Sequence, residues 1–266
     1  LIDNAWQGIG LRTTGQMIVE GGTVNSTIIR TSAQAANHRG AYIQTGGTVT
    51  VRRDFITFDG FSASFHLGYS TTSFYMSGGE LNILRSTPTT AISDQGREFS
   101  FVLSTTPENI EVTGGVINLH IPAGRNAYFT SQGPFFNLNI IKDAPSAFHA
   151  AVKAHPGRTD INEPVPSLPV HVLNDLKLED FAIFHTGDNN VDVYAGGDFV
   201  INPDAAYTPG LNTSFFNGEG PQLFDLSGTI TAGLNNLSLT NTCDLNLAGG
   251  MVLTIRGNIE IEPNTV

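Results

Sequence analysis

Cysteine is nearly absent. Cys243 stands alone, so the chain offers no intrachain disulfide and no cysteine-based metal site. In TNTCDLNLAGG it reads as a small strand residue. Lysine occurs only at positions 142, 153 and 177, and charged side chains make up just 14% of the 266 residues, a composition poor in helix formers. No apolar run approaches the roughly 20 residues that cross a bilayer, and no signal peptide is visible, so membrane insertion is not expected. Basic charge is also short. Thirteen Lys and Arg face 24 Asp and Glu, a net charge of −11, and such a surface repels phosphate backbones, which argues against nucleic acid as a partner. The deficit is uneven: residues 1–133 carry −1 and residues 134–266 carry −10. The seven histidines show no H-x-H or H-E-x-x-H spacing, so zinc is not expected. Neither GEGP nor any glycine pair has the lysine and strand–helix setting of a phosphate loop.

What is abundant is glycine, at 29 residues, and phenylalanine, at 17. Six Gly-Gly pairs lie between short runs that alternate apolar and polar: Gly21–Gly22, Gly46–Gly47, Gly78–Gly79, Gly114–Gly115, Gly196–Gly197 and Gly249–Gly250. The alternation marks strands with one buried face, and a glycine pair turns the chain through conformations that other residues reach only with strain. The first three intervals, 25, 32 and 36 residues, suit one coil of three short strands with corner loops of varying length. The expected fold is all-β, a parallel β-solenoid (β-helix) of glycine-cornered coils. Tandem antiparallel β-sandwich domains are the alternative, because a 99-residue unit is near the size of an immunoglobulin-like domain.

That unit comes from a second repeat. FFNLNIIKD (Phe135 to Asp143) and LNNLSLTNT (Leu234 to Thr242) share a core 99 residues apart, followed by VLNDLKLED and VLTIRGNIEIE respectively. The chain therefore divides into imperfect coils over 1–133 and a repeat unit over 134–266. Residues 144–170 interrupt the unit and read as an insertion, with AFHAAVKAH forming a short helix that Pro156 and Gly157 end. The chain opens on Leu1 and stops at EIEPNTV. Both ends read as cut from a longer array, whose next coils would be neighbouring segments of the same polypeptide.

The ordered series FFNLNII, LNDLKLED, VDVYAGGDFVINPDA, SFFNGEGPQLFDLSG and LNNLSLTNT resembles the repeats of very large secreted surface proteins of Bacteroidetes bacteria, of which the gliding-motility adhesins are a kind. The resemblance covers about half of the chain, and its most specific step runs from FFNGEGPQLFDLSG to LNNLSL. It implies type IX secretion, an extracellular cell-surface location and a role in attachment or gliding. It brings no catalytic residues with it. On this basis the expected function is a structural segment of an adhesin or filament and not an enzyme, with surface polysaccharide or other cell-surface components as contacts.

The competing class is a polysaccharide lyase or hydrolase of the β-helix type, which needs clustered carboxylates beside a basic group. The candidates are Asp54 with Asp59, and Asp94 with Glu98 beside Arg97. Asp54 and Asp59 are an odd number apart and would face opposite sides of one strand. No cofactor motif is present; calcium is the one ion the sequence suggests, at Asp188, Asp192 and Asp198 in GDNNVDVYAGGD, where oxygen ligands gather, although Asx residues there also serve as turn formers. Asn25, Asn212 and Asn236 match the glycosylation sequon. Phe55, Phe58, Phe61 and Phe65, or Phe215 and Phe216, are expected to stack inside neighbouring coils. Trp6, Tyr69, Tyr75, Tyr194 and Tyr207 are candidates for an exposed carbohydrate platform.

Overall fold

The structure, a computed structural model, describes residues 2–4, 8–31, 39–53, 63–85, 99–156, 163–239, 243–247 and 252–261. It is all-β, with three parallel sheets and no α-helix among these residues. The first sheet runs through Ile2–Asn4, Thr23–Ser26, Thr48–Arg53, Ser73–Arg85, Ile110–His120, Asn137–Ile141, Leu176–Leu178, Phe199–Ile201, Gln222–Leu226 and Cys243–Leu247, with Gln16–Val19 and Ala41–Gln44 joining it at Ser73–Arg85. The second contains Ile9–Leu11, Ile29–Thr31, Phe65–Leu67, Phe99–Leu103, Ala127–Ser131, Ala150–Val152, Ile183–His185, Ala206–Thr208 and Thr229–Ile230. The third contains Val170–Val172, Val193–Ala195, Thr213–Phe216, Asn236–Leu239 and Ile259–Ile261.

Every described strand ladder is parallel, and antiparallel pairing is confined to the isolated His155–Val165 bridge. The antiparallel sandwich alternative therefore finds no strand pair here. Parallel neighbours need a crossover, and each crossover runs through the other sheets. The ladders continue across residue 133, since Val116–His120 pairs with Asn137–Ile141.

The period-2 pattern explains the packing. In the first sheet Val24, Val49, Leu81, Ile117, Leu138, Leu176, Phe199 and Phe224 form one in-register inward column, all of them buried. Each such side chain contributes about 1.5–3 kcal/mol on leaving water. The second sheet adds Phe65, Phe101, Phe129, Phe184 and Tyr207, whose rings pack against one another and against Phe135 and Phe199. On the outer face of the first sheet, Asn139 Nδ2 donates to Asn118 Oδ1 at 2.9 Å, and Asn118 Nδ2 to Asn82 Oδ1 at 2.8 Å. This polar ladder binds successive layers.

The glycine pairs lie one above another, although Gly78–Gly79 and Gly114–Gly115 are kinks inside the single strands Ser73–Arg85 and Ile110–His120 and not links between two strands. Gly78 rests on the carbonyl of Thr45, and Gly79, at φ +80°, on Gly46. Gly114 and Gly115 in turn rest on Ser77, Gly78 and Met76. Gly196–Gly197 belongs to a different corner, between the third and first sheets, and neither glycine has a positive φ. Gly249 and Gly250 lie outside the described residues.

The helix expectation is corrected. AFHAAVKAH is not helical: Ala150–Val152 is a strand of the second sheet, paired with Ala127–Phe129 on one side and with Phe184–His185 on the other. Alanine's helix preference is weak beside two ready-made ladders and a buried inward position for Ala150 and Val152. The two members of the 99-residue sequence repeat lie in different sheets. Asn137–Ile141 lies in the first sheet, whereas Asn236–Leu239 lies in the third.

Candidate functional site

Outward-facing positions determine what the molecule can touch. On the third sheet His171, Tyr194 and Phe215 are ladder partners. Their rings stack with centroids 4.3 Å apart at both steps, inclined by 8° and 1°. Phe215 thus lies on the outer face and not in the core, while its neighbour Phe216 points inward and is buried, as alternation requires. Both faces of the Tyr194 ring are taken up by its neighbours, so its edge is what remains for contact. Shallow hollows flank the stack: Asn217 and Glu219 line one with Tyr194 and His171, and Pro134, Leu168 and Pro169 line the other with His171. Burial, with a smaller effect from Asp192, raises the Tyr194 hydroxyl pKa above its ordinary value.

The other aromatic candidates divide. Tyr207 is removed as a platform residue: it is fully buried, and its hydroxyl lies within hydrogen-bond reach of Thr186, Ser214 and Asn212. Tyr75 is half-buried beside Ile43 and Glu111, and Tyr69 is half-buried as well. Phe65 is core. Trp6, Phe55, Phe58 and Phe61 lie outside the described residues, as do Asp54, Asp59, Asp94, Arg97 and Glu98. Among the sequons, Asn212 is buried and donates to Thr186, Val191 and Tyr207, which leaves no room for a glycan in the folded chain.

The three calcium candidates are not brought together. Asp192 Oδ1 accepts the Thr213 N–H at 2.8 Å, and Asp198 Oδ1 accepts the Leu223 N–H at 2.8 Å. Asp198 N–H in turn donates to Asp175 Oδ1 at 2.9 Å. These carboxylates serve as corner links between layers, the Asx role. Asp188 is exposed on a separate turn, where its Oδ1 lies 3.5 Å from His185 Nδ1.

That turn brings together residues the sequence did not connect. His149, His185 and Asp188 place one ligand atom each within 4.8 Å of one another. His149 immediately precedes Ala150–Val152, and His185 ends Ile183–His185 in the next layer, where it pairs with Ala151. Ala150 and Phe184 are buried inward, so His149, Ala151 and His185 share the outer face. Ala151 ends at Cβ and leaves space for the two rings, whose centroids are 5.0 Å apart. The His149 N–H donates to Asn126 Oδ1 at 3.0 Å, and the His149 carbonyl accepts the Ala127 N–H. Buried Lys142 donates to the carbonyls of Ser146 and Phe148 at 2.6 and 2.8 Å, holding the loop that carries His149. Asn189 Nδ2 donates to the Val152 carbonyl at 2.8 Å, anchoring the Asp188 turn to the layer of His149. Burial lowers the His149 pKa, and the charges of His185 and Lys142 act the same way; a hydrogen bond to the Ala147 carbonyl and the Asp188 charge oppose them.

Comparison with protein families, with curated proteins and with solved structures finds no match to this chain.

Proposed function

We propose that the chain is a segment of a parallel β-solenoid that serves as a structural section of a long secreted cell-surface adhesin or filament, acting in attachment or gliding. The observation that carries this reading is the parallel stacking of strands, layer on layer, among the described residues. Such a stack makes a stiff spacer with a repeating side surface, and its properties are those of neighbouring layers. The resemblance of residues 135–266 to Bacteroidetes surface repeats supports the location and the type IX route. Ligand contact is spread along the side, with the His171–Tyr194–Phe215 stack and its flanking Asn217 and Glu219 as the polysaccharide-facing part.

Two assays on the purified chain test this. Immobilised chain is expected to retain surface polysaccharide from the source cells, and Tyr194→Ala to reduce that retention while the layers below stay folded. The same polysaccharide, incubated with the chain, is expected to keep its length. Depolymerisation lost on Asp54→Asn or Asp94→Asn would replace the structural reading with the β-helix enzyme.

A further inference from the structure

We propose that His149, His185 and Asp188 form a binding site for a divalent first-row transition ion of the Zn²⁺ type, which ties two successive layers of the second sheet together. One feature beyond proximity points to a ligand. His149 Nε2 and His185 Nδ1 are buried nitrogens without a hydrogen-bond partner, and buried polar atoms are rarely left so. In a neutral imidazole one ring nitrogen is an acceptor, so each of these atoms can present a lone pair to an ion.

The geometry suits a small ion. Tetrahedral zinc with bonds of about 2.0–2.2 Å sets its ligand atoms roughly 3.3–3.5 Å apart. Asp188 Oδ1 and His185 Nδ1 are already 3.5 Å apart. His149 Nε2 reaches the same spacing by a small ring rotation over Ala151, with its backbone fixed on both sides. The Asp188 side chain is 61% exposed, so the ion enters from solvent and its fourth position faces water. Two imidazoles and a carboxylate favour Zn²⁺ over Ca²⁺ or Mg²⁺, which prefer oxygen ligands. Asp188 thus belongs with a different set of ligands, and a different metal, from the calcium expected at Asp188, Asp192 and Asp198.

The metal-free 266-residue chain is titrated with ZnCl₂ by calorimetry and with CoCl₂ by visible absorption. Expected are one Zn²⁺ per chain and the intense visible bands of tetrahedral Co²⁺. His149→Phe and His185→Phe should each abolish both signals while far-ultraviolet circular dichroism is unchanged, and Asp188→Asn should weaken binding on the order of tenfold. CaCl₂ at the same concentration should give no signal. In the unsubstituted chain, Zn²⁺ should shift the ring proton resonances of two of the seven histidines, two that are linked to each other through space. This readout stands even if a variant fails to fold. No saturable binding, binding that survives both histidine changes, equal competition by Ca²⁺, or shifts at unlinked histidines would overturn the site.

Discussion

Replacing the first glycine of a corner pair by alanine tests whether the corners rest on one another. At Gly78 the added Cβ would lie 2.6 Å from the carbonyl oxygen of Thr45, a backbone atom of the layer beneath that cannot rotate aside. A normal carbon–oxygen approach is about 3.3 Å, so the two layers must separate locally by roughly 0.7 Å. Such overpacking costs about 1–3 kcal/mol, and the reduced freedom of the unfolded chain returns only about 0.4–1 kcal/mol. Gly21 occupies the same place in its own corner, yet no atom lies within 4 Å of its added Cβ. Gly21→Ala should therefore be neutral or slightly stabilising, and Gly78→Ala less stable than it by about 2 kcal/mol. Gly79→Ala adds a positive φ that disfavours alanine by a further 1–2 kcal/mol or so. Melting followed by circular dichroism should separate Gly21→Ala from Gly78→Ala by about 4–8 °C. Equal melting temperatures for those two variants would refute the stacked-corner account.

Asn118→Leu should destabilise by about 1–3 kcal/mol in urea denaturation, because it leaves Asn82, Asn139 and Glu80 without their partner on the polar ladder. Burial lowers His120, against the opposing charges of Asp143 and Glu80, and lowers His149 too. Their folded pKa values therefore lie below the ordinary value of about 6.5, and the unfolded chain binds more protons between the two. In metal-free buffer the melting temperature should hold above that pH and fall as pH drops through it, with His120→Gln/His149→Gln flattening the fall; a rise on acidification would contradict this. Millimolar Ca²⁺ should leave the melting temperature unchanged, because Asp192 and Asp198 already bind backbone N–H groups; a clear upward shift would show that they can regroup around the ion.

Much of the fold was readable because its rule is local. Gly46–Gly47 marks a turn between two strands, as read, whereas Gly78–Gly79 and Gly114–Gly115 fall inside the single strands Ser73–Arg85 and Ile110–His120 as positive-φ kinks; all three rely on the one property a side chain cannot imitate, the lack of Cβ where backbones meet. What local pattern cannot report is which face a strand occupies. NLNII at 137–141 and NLSL at 236–239 carry the same inward leucine, yet lie in different sheets. Tyr194 and Tyr207 look alike in sequence, and one layer's phase puts the first outside and the second in the core. The helix read into 147–155 failed for a related reason: two neighbouring ladders outweigh alanine's propensity. Nothing in the sequence pairs His149 with His185, because the layers vary from 21 residues between Ile117 and Leu138 to 38 between Leu138 and Leu176. Histidines 36 positions apart become neighbours only once the register is known.

The role as an exposed structural section of a surface protein is tested most directly by labelling intact source cells with an antiserum raised against the folded chain, before and after brief treatment with external protease. The account predicts strong labelling without permeabilisation and its loss after protease. Labelling that appears only after the cells are permeabilised would contradict it.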